Sequence, residues 1–359
     1  MTSLERLSQK RQRSQDADSE DPMTPAPIVK SADLWMDDGS IILRTSSDDG
    51  RTLTLYKVHK FTLAYHSTFF RDLFDGPQTA FDTASERYDG LPVLDMQDAA
   101  QDVDDFLKAI YLPNFTQRHR RLVENNLTRR DFPGMYTGVM RLAKKYDAQH
   151  ISESIVQALL DEWPTKVERW VVREAELKRQ AEVLGAGEEI SKVYPDPAHT
   201  IHIASEFDIP NVLPIAFYDV ARVFELYDPL AVPLPGSPIP RIADLSELAA
   251  SDLRRLALGR AAMRAHLLKA YAPLRFPPFR GCKGSGSCQP SIDALWGTRV
   301  MAMHVSPDPI LWIGKTIANG ALLDACSVCR GEFVKIWTEE RGVLWQKLPA
   351  FFGLVYRYS

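Results

Sequence analysis

Four cysteines are the side chains of this chain best placed to do chemistry as a group. Cys282 and Cys288 fall in a loop that also holds Gly281, Gly284 and Gly286. Cys326 and Cys329 stand three apart in a helical pattern, which places both sulfurs on one face. Two such chelating pairs can close a tetrahedral four-thiolate Zn2+ site. The metal's charge keeps thiolates deprotonated at neutral pH, and glycine lets a loop wrap an ion. Reduced, unligated thiols stand slightly ahead of that reading. The Cys282–Cys288 spacing exceeds the usual two to four residues, and free cysteine is a common core residue. A redox Cys-x-x-Cys is the third reading, weakened because no thioredoxin-like βαβ pattern surrounds Cys326. His304 is a weaker substitute for one sulfur.

The second group is LYKVHKFTLAYHSTFF, residues 55–70, with His59, Lys60 and His66. As catalysts these would need a nucleophile or carboxylate held within reach. No pairing of acid, base and nucleophile can be placed, so no catalytic residue is assigned and the chain is not expected to be an enzyme. His66 reads as a helix-end residue near the last carbonyls.

The elements that would position these groups follow from pattern. Of the 359 residues, 45% are hydrophobic and 25% charged, enough for a large core. A formal charge of −4 gives no global attraction to nucleic acid or anionic lipid. No apolar run approaches the roughly 18 residues a membrane helix needs. The opening MTSLERLSQKRQRSQ lacks an apolar secretory core. A soluble intracellular protein is expected, with cytoplasm and nucleus both open.

Residues 1–27 are polar and Pro-containing, and read as a disordered tail. Its cluster Lys10-Arg11-Gln12-Arg13 suits a solvated tail better than a nuclear address. Ile41–Arg44, Thr52–Tyr56 and Leu91–Leu94 are strand candidates, the first two joined by the turn Ser46–Gly50. Helices are expected over 60–65, from a Ser67 or Thr68 cap to Gly76, and from an Asp98 cap to Pro113. A polar insertion or loop over 117–131 comes next, and further helices follow over 135–145 and 151–163.

The second half is expected to be mainly helical: 165–184, 198–207, 212–227, and 243–271 with a break near Gly259. A Pro-rich linker, 228–240, separates the last two. A Gly/Pro/Cys loop over 272–290 and a helical region over 308–347 complete it. Trp163, Trp170, Trp296, Trp312, Trp337 and Trp345 read as core. No repeat of 20–50 residues is present.

Several motifs then agree in order and spacing. Val58-His59-Lys60 precedes Ser67-Thr68-Phe69-Phe70-Arg71-Asp72-Leu73-Phe74. Asp102-Val103-x-x-Phe106-Leu107-x-x-Ile110-Tyr111 and Leu142-Ala143-x-Lys145-Tyr146 follow. This first half resembles a BTB (POZ) domain. A narrower resemblance is to the BTB proteins that mushroom-forming fungi carry in many copies. It rests on Asp38-Gly39-x-Ile41-x-Leu43, Trp163-Pro164, Trp170, Arg173-Glu174, Leu213–Tyr218, Arg222, Leu258-Gly259-Arg260 and Trp345-x-x-Leu348-Pro349-x-Phe351-Phe352-Gly353-Leu354.

The resemblance implies an α+β fold: a BTB domain over 33–162, a helical extension over 163–271, and a Cys-containing helical region over 272–359. It implies a non-catalytic module that self-associates and recruits protein partners, with no direct nucleic-acid or membrane contact. Homodimerisation would draw on Trp35, Met36, Phe61 and Leu63, with Lys60 lining a charged pocket, although the apolar four could equally serve the domain's own core. His59 is expected to be structural, ending a strand and packing under the helices, whereas the family's usual aspartate partner for Lys60 is open, because Asp38 stands three residues before Ile41. Two rivals remain. One is a cullin-ligase adaptor, whose apolar-x-Glu motif is poorly matched by Ala80–Glu86. The other is a transcription or chromatin factor using the basic cluster.

Overall fold

The computed structural model describes residues 26–47, 50–75, 86–112, 115, 132–184, 193–224, 243–271, 279–284, 287–303, 306–321 and 324–354. Among them, five strands form one sheet: β1 (Ile28–Trp35), β2 (Ile41–Ser46), β3 (Leu53–Val58), β4 (Arg87–Tyr88) and β5 (Leu91–Asp95). The spatial order is β1-β3-β2-β5-β4. β2 runs antiparallel to β3, with Leu43 opposite Tyr56, and parallel to β5, with Leu43 opposite Leu94. β1 adds parallel to β3, and β4 antiparallel to β5.

β2 is central and buried on both faces, which explains why Ile41-Ile42-Leu43 is continuously apolar rather than alternating. Ile41 and Leu43 enter the main core with Tyr56, Val58 and the helices. Ile42 faces the other way, onto Leu55 and Val93 under a cover of Trp35, Tyr88 and Leu91.

Helices α1 (Lys60–His66), α2 (Thr68–Asp75), α3 (Ala100–Tyr111), α4 (Phe132–Lys145) and α5 (Gln149–Glu162) cover the main face. Ser67 supplies the cap that sets α2: its hydroxyl accepts the Phe70 N–H at 3.1 Å and donates to the Tyr146 carbonyl. α2 thereby lays Phe70 against Tyr146, with ring centroids 5.0 Å apart. Asp98 does not cap α3. The N-cap is Ala99, and Asp98 instead takes the Tyr146 hydroxyl and the Lys145 ammonium.

The remaining helices are α6 (Val167–Leu184), α7 (Pro197–Glu206), α8 (Leu213–Phe224), α9 (Ala250–Tyr271), α10 (Cys288–Met303), α11 (Pro309–Ala321), α12 (Ser327–Gln346) and the short α13 (Leu348–Phe351). The chain is therefore an α+β unit followed by a mainly helical half. One continuous apolar core runs through both, from Leu34 to Leu354.

β1 carries no strand signal in the sequence. The loop expected over 272–290 ends at Cys288, where α10 begins. Gly259 does not break α9; it lies mid-helix under the Phe352 ring, where any Cβ would overlap it. Trp163, Trp170, Trp337 and Trp345 are buried as expected, and Trp312 packs partly buried on the core. The Trp296 side chain, the tail 1–25, the insertion 116–131 and the Pro-rich 225–242 lie outside the described residues.

Candidate functional site

The four cysteines converge. One sulfur from each of Cys282, Cys288, Cys326 and Cys329 lies within 4.8 Å of every other. The Cys282 and Cys326 sulfurs are 3.9 Å apart, far beyond a disulfide and close to the roughly 3.8 Å edge of a tetrahedral zinc–thiolate site. Cys282 comes from the turn after Gly281, whose φ of 87° suits glycine. Cys288 opens α10, Cys326 is the N-cap of α12, and Cys329 sits in its first turn.

Backbone amides turn toward the sulfurs. The Lys283 N–H donates to Cys326 Sγ at 3.4 Å and the Cys326 N–H to Cys288 Sγ at 3.2 Å. N–H groups of Cys329 and Lys283 bring the Cys326 thiol down to about 6. Burial pushes Cys329 up to about 12. Gly284 leaves the space that the Cys288 sulfur fills, because a Cβ there would overlap it. These cysteines can together hold a metal ion. His304 lies outside the described residues.

At the other end of the chain, His59 closes β3 and precedes α1. Its Nε2 is 2.9 Å from Asp38 Oδ1, and its backbone N–H donates to the Tyr111 hydroxyl at 2.8 Å. The hydrogen bond from His59 holds the Asp38 carboxyl below its usual range. The turn after β1 carries Asp38 back over His59. Lys60 donates its backbone N–H to Ser40 Oγ at 2.9 Å, and its ammonium lies 5.7 Å over the Phe74 ring. The junction is braced by its neighbours Asp38, Ser40 and Tyr111.

Residues 52–162 match the family model of the BTB/POZ domain. Residues 52–162 form a BTB/POZ domain. BTB/POZ domains are protein–protein interaction modules. No curated protein and no solved structure matches the chain. The match opens at β3, while β1 and β2 complete the same sheet.

On the BTB domain, the expected partner residues divide. Phe61 is 80% exposed and stacks on Tyr65, itself 75% exposed, with centroids 6.3 Å apart. Trp35 and Met36 are half-buried; Lys30 lies 4.4 Å over the Trp35 ring, and Tyr88 meets its edge. Leu63 is corrected: it is fully buried in the domain's own core, because it occupies the inward face of α1, and offers no partner surface. The segment Ala80–Ser85 lies outside the described residues.

A second polar assembly joins the BTB domain to the helical half. Arg222 on α8 reaches Glu174 at 2.9 Å, Asp219 at 2.6 Å and Asp308 at 2.7 Å. Arg173 on α6 reaches Asp219 at 3.1 Å, Glu174 at 2.7 Å and Glu162, the last residue of α5, at 3.8 Å. Trp163 Nε1–H donates to Asp219, and the Tyr218 hydroxyl donates to Asp308 at 2.6 Å while accepting the Ile310 N–H. Every ionic side chain here is at most 16% exposed. Ions are costly to bury, so this geometry persists because each arginine satisfies several carboxylates at once. The residues that carry the narrower resemblance, Trp163, Trp170, Arg173, Glu174, Tyr218 and Arg222, meet here. Asp219 and Asp308 were not singled out in the sequence; the available signal was Asp219 one turn before Arg222 on an apolar helix.

Two histidine environments titrate in opposite directions. His66 Nδ1 and His150 Nε2 are 2.8 Å apart, joining the end of α1 to α5. Burial lowers both pKa values, and for His66 the neighbouring His150 adds to this. His199 is raised by its bond to Asp196, with Glu247 and Asp244 adding to it. Histidine NMR titration is expected to place His66 and His150 below 6.5 and His199 above it.

Proposed function

We propose that this protein is a non-catalytic module that pairs with a second copy of itself through the outer face of α1, recruits further protein partners, and carries a structural Zn2+ on Cys282, Cys288, Cys326 and Cys329. The observation that carries the pairing is the exposed Phe61–Tyr65 stack beside the half-buried Trp35 and Met36. Aromatic surface of this size is left in water at a cost that burial against a like surface removes. A two-fold interface asks only that the patch complement itself, and a flat stacked pair can do so.

Phe61→Ser removes a ring that is 80% exposed without touching the core. It is expected to weaken the dimer by at least about thirtyfold, the scale of a 2 kcal/mol interface anchor. Light scattering across a dilution series checks this; unchanged dimer mass would reject the α1 face.

Zinc is supported by the donor set. Four cysteine sulfurs within 4.8 Å of one another suit a thiolate-binding ion such as Zn2+. The narrower fungal-family reading gains support from the convergence of its residues on the Arg173–Arg222 cluster. A cullin-adaptor role would use the same BTB domain, and a pull-down with purified cullin at micromolar concentration separates it from self-pairing alone. A chromatin role would rest on Lys10–Arg13, which lie outside the described residues. Deleting residues 1–27 and following localisation tests it.

A further inference from the structure

We propose that the four-cysteine centre is divided into an outer pair, Cys282 and Cys326, which a hydroperoxide converts to a disulfide, and an inner pair, Cys288 and Cys329, which stays reduced, so that oxidation ejects the metal. This rests on the zinc reading above and adds its regulation.

The two pairs differ in access and in mounting. Cys288 is 3% exposed and Cys329 0%, whereas Cys282 and Cys326 are half-buried. A small oxidant therefore meets an outer sulfur first. The inner sulfurs ride on helices, Cys288 at the start of α10 and Cys329 within the first turn of α12. Both join the apolar core, so drawing them together would move helices. Cys282 rides instead on the turn after Gly281, and Cys326 on the non-helical N-cap position. Their sulfurs stand 3.9 Å apart, and a disulfide bond of about 2.05 Å requires an approach of roughly 2 Å. A turn and a cap residue can supply that movement.

The chemistry balances with the peroxide as sole oxidant. One outer thiolate attacks a peroxide oxygen; the O–O bond breaks, and hydroxide leaves and takes a proton to become water. That sulfur has lost two electrons and is now a sulfenic acid, a poor ligand. The second outer thiolate attacks it, the S–O bond breaks, and a second hydroxide leaves and is protonated. Two thiolates, one hydrogen peroxide and two protons give one disulfide and two waters. The inner pair alone is a two-coordinate remnant, too few ligands to hold the ion.

The test uses reduced full-length protein. Metal content is measured first; absence of zinc in protein purified under reducing conditions would overturn the zinc reading itself, and this proposal with it. With zinc present, hydrogen peroxide is added while a chromogenic chelator reports free zinc, and disulfides are mapped by non-reducing peptide mass spectrometry. The expected result is one zinc released per chain, together with a peptide linking Cys282 to Cys326, both reversed by reductant and added zinc. Zinc retained under peroxide, a Cys288–Cys329 link, or release with only irreversible oxidation would each overturn the proposal while leaving the zinc site standing.

Discussion

Stripping zinc from the reduced protein is expected to cost about 4 kcal/mol of stability relative to protein in metal a thousandfold above the dissociation constant. The loss should be local before it is global. The four ligands tie the turn at 279–284 and the first turn of α10 to the start of α12, and α12 packs along α11. Hydrogen exchange should therefore rise first in 279–290 and 324–334, while the sheet of the BTB domain keeps its protection. The pH dependence has a fixed sign. Zinc needs all four sulfurs deprotonated, so protons compete with the metal, and affinity falls as pH is lowered. Cys329→Ser should reproduce the apo protein, because it leaves a buried hydroxyl where a thiolate bound metal. Equal melting midpoints with and without a chelator would contradict this.

The second large effect concerns the buried ion cluster. Arg222→Met keeps much of the side-chain volume but removes the arginine that reaches Asp308 and one of the two cations, with Arg173, that Glu174 and Asp219 share. Removing one partner of a buried ion network is expected to cost about 3–5 kcal/mol. Arg222→Lys should recover only part of this, since a single ammonium cannot reproduce a planar fork that reaches three carboxylates. By contrast, Arg179→Ala, which breaks an exposed pair with Glu176 on α6, should cost the least of the three. Urea unfolding of the three variants checks the ranking. Asp308 also takes the Leu311 N–H and so fixes the start of α11. Arg222→Met should accordingly loosen α11 together with α8. A cost under 1 kcal/mol would show that the cluster does not hold the two halves together.

What could be read from sequence depended on how each element meets water. β2, β3 and β5 announce themselves because a central strand is apolar. α2 announces itself through Ser67 and the aromatic residues one turn apart. β1 is hidden by its edge position: most of Ile28–Trp35 faces solvent, so Lys30, Ser31 and Asp33 break any apolar alternation. β4 is two residues long and leaves no period to detect. α10 is mixed on all sides, so the Gly/Cys loop hid its start. Gly259 reads as a breaker in one dimension and is a close-packing contact in three. The cysteine group was legible as a set of donors, but only the fold shows that the second pair comes to the first. The ion cluster was barely legible, since charged residues on separate helices resemble ordinary solvated faces until the helices are packed.

The exposed aromatic face of α1 is proposed to pair chains of a metal-clasped protein. A native mass spectrum of the full-length reduced protein at micromolar concentration tests it in one experiment. The predicted species carries two chains and two zinc ions. A metal-free single chain at that concentration would contradict it.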